Sequence, residues 1–207
     1  MQKYYRGHDH KFMNTYFTEE EEAIFFKSIR KTSGILAKRD AALFGLLRAS
    51  GIRVGTLCGL EYNEINTALN SNETYFTLRD EICKNKNGYQ IFLTKKIRIE
   101  LKELIRVHKS ISKSKGTSPK FLVLGNRGQG IKSRAVQMRM KTILIEAGLS
   151  DQASPHWWRH SKAMGIMRSE ARDPRGIIQR VLGHVSDASS LPYMRPTKEH
   201  FEEFADA

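Results

Sequence analysis

The chain has 207 residues, of which 40% are hydrophobic, and a formal net charge of +13. This length suits one large domain or two small ones with a buried core, and the charge favours a polyanionic partner, with nucleic acid preferred over an acidic membrane surface. No apolar run approaches the roughly 18 residues of a membrane span, no secretory signal opens the chain, and Cys58 and Cys83 are its only cysteines. These features favour a cytoplasmic protein and argue against a membrane protein or a disulfide framework.

The N-terminal third predicts an arm followed by two helices. Residues 1–15 are basic and aromatic and are expected to lie outside the core. Thr18 and Glu21 form a capping-box pattern that predicts the start of the first helix. A second, strongly apolar helix is predicted over residues 38–50 as the centre of the core, and Gly51 is expected to end it shortly before Arg53.

The middle of the chain changes to a β-like pattern. Residues 74–94 contain two apolar segments separated by a polar turn with Lys84, Lys86 and Gly88, which predicts a small antiparallel sheet, expected to have three strands. An amphipathic helix is predicted over residues 98–111. Residues 109–120 then form a basic, serine-rich stretch, predicted to be either a linker or a loop that contacts phosphates.

A further amphipathic helix is expected between Ser133, as its cap, and Gly148. The polar positions on this helix are Arg134, Gln137, Arg139 and Lys141. The preceding glycine-rich turn, residues 125–130, lacks the lysine and the glycine spacing of a nucleotide-binding loop.

Most of the candidate chemistry lies in residues 154–193. Pro155 can begin a helix, which would place His156 and Arg159 at i and i+3 on one face. A second short helix is expected to end at Gly183, followed by His184, and Tyr193 comes nine residues after that histidine. An arginine that can hold two phosphate oxygens and a tyrosine that can act as a nucleophile together indicate chemistry on a phosphodiester.

A metal site is the alternative for this histidine-rich segment. His156 and His160 have the i, i+4 spacing of a zinc pair, but the residues between them are Trp157, Trp158 and Arg159 rather than the glutamate of the metalloprotease motif. A cation beside the ligands would also oppose a metal ion. The sequence therefore predicts a site without metal or cofactor.

Five segments resemble the signature of the tyrosine recombinases, or phage-type integrases. HWWRH, VLGH and SSLPY are similar to the family's C-terminal boxes, AALFGLLRASGIRVGTLCGL to its first-arginine turn, and KNKNGYQIFLT to its lysine hairpin. The resemblance covers roughly residues 16–200. It implies a mainly α fold with a small antiparallel β-sheet, in which residues 1–15 are the arm, 16–196 the catalytic domain, and 197–207 a tail exchanged between protomers.

The resemblance also implies a reaction and a set of site residues. It implies a site-specific DNA recombinase that works through a 3′-phosphotyrosyl intermediate, without metal or ATP, on double-stranded DNA and as a homo-oligomer. The implied catalytic residues are Arg53, Lys86, His156, Arg159, His184 and Tyr193, with Lys84 as the alternative to Lys86. The family's N-terminal helical domain is not recognisable in the sequence, which leaves a fragment or a short form similar to the fimbrial-switch recombinases.

Other functions remain open at this stage. A type IB topoisomerase would use much the same residues. A catalytically silent DNA-binding regulator would not need Tyr193, and a basic module for membrane or RNA would need neither that tyrosine nor the two arginines.

Overall fold

The computed structural model describes residues 15–71 and 73–183, and this part of the chain folds into helices and one small sheet. The helices are α1 (Glu19–Arg30), α2 (Ile35–Ser50), α3 (Val54–Gly59), α4 (Tyr62–Asn70), α5 (Lys95–Lys115), α6 (Ser133–Glu146), α7 (Pro155–Met167) and α8 (Pro174–Leu182). The strands are β1 (Tyr75–Thr77) and β2 (Gln90–Phe92). The predicted fold class, mainly α with a small antiparallel sheet, is confirmed. No helix in this part is both long and apolar enough to span a membrane.

Helix α1 begins as its sequence predicts. The Thr18 hydroxyl accepts a hydrogen bond from the Glu21 amide at 3.2 Å, and the Glu21 carboxylate accepts one from the Thr18 amide at 2.8 Å. These reciprocal bonds satisfy two amides that the first helical turn leaves without partners.

Helix α2 is the centre of the core, as predicted, although it starts three residues earlier than expected, at Ile35. Phe44 and Leu47 on this helix have no exposed surface. The helix packs against α1, α5 and α7. It ends at Gly51, whose φ of 67° is the left-handed conformation that glycine adopts without steric cost. A β-carbon at Gly51 would approach Leu182 to 2.6 Å, so this turn also needs glycine for close packing.

The sheet consists of β1 and β2, which pair antiparallel with Tyr75 opposite Phe92. The expectation of a third strand was wrong for residues 15–71 and 73–183, in which the sheet has two strands. The connection between the strands instead folds into two short 3-10 turns, Asp80–Ile82 and Lys84–Lys86. The Asp80 carboxylate accepts a hydrogen bond from the Gly88 amide at 2.7 Å and closes this connection.

Two predictions in the middle of the chain were wrong at helix boundaries. Residues 109–115 continue α5 rather than forming a loop, because lysine is a good helix former and Ile111 supplies a buried contact; Gly116 ends the helix. Ser133 does not cap α6 but is its first residue, after Lys132. The Ser133 hydroxyl is directed toward the Cys58 sulfur at 3.9 Å instead of toward the helix amides.

A buried carboxylate joins α2 to α6. The Asp40 side chain is 1% exposed and pairs with Arg39 and with Arg139, each at 2.5 Å. Arg139 was expected on the polar side of α6, but this ion pair directs its guanidinium toward α2. The remaining polar positions on α6, Arg134, Gln137 and Lys141, are exposed.

Candidate active site

Arg159 joins three helices. It lies on α7, which begins at Pro155 as predicted, and is 1% exposed. Its guanidinium donates one hydrogen bond to the carbonyl oxygen of Gly51 at 3.0 Å and another to that of Leu182 at 2.5 Å. These carbonyls lie at the C-terminal ends of α2 and α8, where the helix dipole favours a positive charge. Arg159 therefore holds both helix ends beside α7.

This arrangement brings the second arginine into the same region. Arg53 is two residues after Gly51, directly before α3, and is half-buried. The positive charges of both Arg53 and Arg159 lower the pKa of His156. The two arginines predicted from sequence thus both lie close enough to His156 for their charges to affect its pKa.

His156 lies in the first turn of α7 and is exposed. Its pKa is lowered, first because the imidazole is partly removed from water, and then because of the charges of Arg159, Arg53 and Lys84. A lowered pKa keeps the ring neutral at neutral pH, so its nitrogen can accept a proton. The histidine is therefore in the form in which a general base would act.

The hairpin connection carries both candidate lysines on an exposed turn. Asn85 and Lys86 have positive φ values, 61° and 51°, and the second is uncommon for a lysine. Lys84 is the lysine whose charge contributes to the lowered pKa of His156. The charge of Lys84 thus acts on His156, while the choice of Lys86, which the sequence favoured, stays a prediction with Lys84 as its alternative.

Tyr89 is a residue of this region that sequence reasoning missed. Its hydroxyl is buried, and burial raises the pKa of the phenol, while the nearby charges of Arg159 and Arg53 lower it. The Tyr89 ring packs directly against the backbone of Gly183. The alternation of Tyr89, Ile91 and Leu93, through β2 and the two residues that flank it, was the available signal, because period-two spacing places all three on one face of an extended segment.

The two tryptophans of the HWWRH segment belong to the core. Trp158 is fully buried, and its ring centroid lies 4.5 Å from that of Phe17 and 5.1 Å from that of Phe25. Trp157 lies 5.4 Å from Phe17. These rings anchor the start of α7, so the positions of His156 and Arg159 are fixed by aromatic packing on the opposite side of the helix.

The remaining two predicted site residues, His184 and Tyr193, lie outside the described residues, as do most of the arm and the tail. The description ends at Gly183, which has the left-handed conformation predicted for it, with φ 59°. The roles of His184 and Tyr193 stay predictions.

The chain is similar to known proteins over most of its length. The phage integrase family matches residues 16–200. The XerC tyrosine recombinase of Anoxybacillus flavithermus is 29% identical over 185 residues, which are 89% of this chain and 58% of the relative. The XerC tyrosine recombinase of Halalkalibacterium halodurans is 27% identical over 195 residues, 90% of this chain and 60% of the relative. The chain thus spans less than two thirds of the length of these relatives.

Solved structures show the same fold. The crystal structure of XerA recombinase has a TM-score of 0.71 at 19% identity, over 94% of this chain and 65% of that one. XerH recombinase bound to a palindromic difH substrate has a TM-score of 0.71 at 21% identity, over 93% of this chain and 52% of that one. The family match and the shared fold lead to one conclusion: this chain belongs to the phage integrase family, the tyrosine recombinases.

Proposed function

We propose that this chain is the catalytic part of a site-specific DNA recombinase that cleaves and rejoins DNA through a 3′-phosphotyrosyl intermediate. One observation carries the proposal: the hydrogen bond from Arg159 to Gly51 brings two arginines and a neutral histidine to one place. Two fixed cations suit the two non-bridging oxygens of a phosphodiester. The net charge of +13 supports DNA as the substrate.

In the proposed reaction, Tyr193 is the nucleophile. A bond forms between its phenolic oxygen and phosphorus, while the bond from phosphorus to the 5′-oxygen breaks. His156 takes the phenolic proton, and the departing 5′-oxygen receives a proton from a lysine and becomes a hydroxyl. Attack by the 5′-hydroxyl of a second DNA end reverses these steps, so the energy of the phosphodiester bond is kept and no ATP is needed.

The other residues stabilise the charge that develops on the phosphate. Arg53 and Arg159 neutralise the non-bridging oxygens in the transition state, and His184 donates a hydrogen bond to one of them. Lys84 is our preferred proton donor because its charge already acts on His156, and Lys86 is the alternative. A lysine suits this role because its charge can be lost, whereas that of an arginine is permanent.

Recombination joins two sites, so the proposed protein works as a homo-oligomer on double-stranded DNA. Related structures include a lambda integrase tetramer bound to a Holliday junction. For this chain, we propose that residues 197–207 dock on a neighbouring protomer through Phe201 and Phe204. Deleting residues 198–207 should leave DNA binding and thermal stability intact and abolish strand exchange. A clear loss of thermal stability would instead place this segment against its own chain.

The experiment that tests the recombinase function has two steps. Binding sites are first selected from random DNA with the wild-type chain, and two copies of a selected site are then placed on one supercoiled plasmid in excess EDTA. A recombinase exchanges strands between paired sites. Relaxation of a plasmid that carries a single site, without exchange products from two, would favour a type IB topoisomerase. Binding without any strand breakage would favour a silent DNA-binding regulator.

A further inference from the structure

We infer that Thr15 is a positioning residue for the proposed general base His156 and acts through the ring of His160. The inference rests on the proposed function, since it concerns the same proton transfer. The Thr15 hydroxyl oxygen lies 2.9 Å from Nδ1 of His160, within hydrogen-bond distance, although the two residues are 145 positions apart in sequence. The His160 ring in turn packs edge to face against that of His156, with ring centroids 4.5 Å apart.

This contact is one of several that residues 15–17 make along α7. We call these three residues the strap. The Phe17 amide donates to the Ser161 hydroxyl at 2.7 Å, and that hydroxyl donates to the Phe17 carbonyl at 3.3 Å. Farther along, Arg168 donates to the Tyr16 hydroxyl at 3.0 Å, and its guanidinium lies over the Tyr16 ring. The strap therefore contacts α7 in its middle, at His160 and Ser161, and at its C-terminal end, at Arg168.

Phe17 anchors the strap independently of Thr15. It is 5% exposed and packs within the aromatic cluster of Trp157, Trp158 and Phe25. Removing the Thr15 hydroxyl alone should therefore leave the strap docked and the fold intact. This separation makes the role of the hydroxyl testable apart from the role of the packing.

The chemical consequence concerns the His160 ring. His160 is 7% exposed, and a neutral imidazole has one nitrogen that donates and one that accepts. A hydroxyl can both donate and accept, so the Thr15 hydroxyl within reach of Nδ1 favours one orientation of the His160 ring, whichever ring nitrogen carries the proton. Because His156 packs against this ring, a fixed His160 restricts the directions that the His156 nitrogens can take.

The surroundings of His156 show why a fixed ring orientation would favour proton transfer. Three cations, Arg53, Arg159 and Lys84, act on its ring from α3, from α7 and from the hairpin connection. His160 is the neighbour whose ring is in direct contact with it. Proton transfer requires the accepting nitrogen within hydrogen-bond reach of the donor, so a ring free to turn would lose part of its efficiency.

The test compares Thr15→Val, which keeps the branched shape without the hydroxyl, with Thr15→Ser, which restores the hydroxyl. Tyr16→Phe is the matched control, since it removes a hydroxyl of the same strap that contacts Arg168, at the end of α7 distant from His156. Histidine ring nitrogens are observed by NMR on the full chain labelled at histidine. The chain has 7 histidines, and His156→Gln and His160→Gln variants assign the two signals.

We expect the same His160 and His156 ring-nitrogen signals in the wild type, in Thr15→Ser and in Tyr16→Phe, and changed signals of both rings in Thr15→Val. On a selected DNA site, Thr15→Val should form adduct about three- to tenfold more slowly at unchanged DNA affinity, the effect of one hydrogen bond. Should Thr15→Val melt at a much lower temperature, Thr15→Ala serves the same comparison.

Identical histidine spectra and cleavage rates in wild type and Thr15→Val would overturn the inference. Equal effects of Thr15→Val and Tyr16→Phe would also overturn it, because they would show a general loosening of the strap. If the spectra change as expected while the wild type forms no adduct on any selected DNA, the positioning of His156 stands and the proposed function fails.

Discussion

Arg159 on α7 donates a hydrogen bond to the main-chain oxygen of Gly51 at 3.0 Å, across 108 residues of sequence. Arg53 follows Gly51 by two residues. The bond therefore holds α7, which carries Arg159, beside the turn that carries Arg53. The buried guanidinium thus has a structural role in addition to its proposed catalytic one. Arg53 is half-buried directly before α3, and its side chain makes no hydrogen bond or ion pair within residues 15–71 and 73–183.

The two arginines should therefore respond differently to substitution by lysine. Arg159→Lys keeps the charge but cannot reach both carbonyl oxygens, and one unpaired buried carbonyl costs about 1–3 kcal/mol. We expect a lower free energy of unfolding in urea for Arg159→Lys and a nearly unchanged one for Arg53→Lys, with strongly reduced DNA cleavage in both. Equal stability of the two variants would contradict the structural role of Arg159.

Asp40 predicts a large stability effect away from the site. Its carboxylate is almost fully buried between Arg39 and Arg139, so Asp40→Asn leaves two arginines without their counter-charge. Breaking a buried pair in this way costs about 3–5 kcal/mol. The matched control is Asp151→Asn, which removes an exposed pair with Lys141 at 3.3 Å and should cost less than about 1 kcal/mol. Similar denaturation midpoints for the two variants would contradict the account.

The local features of the fold could be predicted from sequence, and the long-range ones could not. Thr18, Gly51, Pro155 and Gly183 mark helix ends through short-range chemistry, and each lies where its pattern predicts. The partners of Arg159 could not be predicted, because main-chain oxygens carry no sequence signal.

Other long-range features were missed for related reasons. Neither the pairing of Asp40 with Arg139 nor the contact of Thr15 with His160 has a local pattern. Residues 109–115 were misassigned because serine and lysine are common in loops, whereas the buried face of α5 continues through Ile111. At the hairpin, turn chemistry alone could not choose between two lysines separated by one residue.

The rate of DNA cleavage should depend on pH through His156. In the folded protein its pKa is lowered, so the ring stays neutral as the pH falls to the ordinary histidine value of about 6.5 and becomes protonated only below it. As a general base, His156 works in the neutral form. We expect the rate to be constant from neutral pH down to about 6.5 and to fall below that value, which single-turnover adduct formation measures.

His156→Gln is the control for this pH dependence, and it should be slow and lack that acid limb. A wild-type rate that already decreases as the pH is lowered toward 7 would be inconsistent with a lowered pKa at His156.

The two lysines can be separated by the chemistry of the leaving group. Lys84→Ala should slow cleavage strongly, and a DNA substrate with sulfur in the 5′-bridging position should restore the rate, because a thiolate leaves without a proton. Lys86→Ala, two residues away on the same exposed connection, is the matched control and should cleave both substrates nearly as the wild type does. Rescue of Lys86→Ala instead would return the role to the lysine that the sequence favoured.

The central claim is that this chain forms a covalent bond to DNA through Tyr193. The most direct measurement is an SDS-resistant adduct on a selected site that carries a nick close to the cleavage position, so that the released fragment diffuses away and the intermediate accumulates. We predict that the wild type forms the adduct in excess EDTA, with the 3′-phosphate attached to Tyr193, and that Tyr193→Phe binds the same DNA with nearly equal affinity and forms none. An adduct of normal yield in Tyr193→Phe, or cleavage that requires added Mg²⁺, would contradict the account.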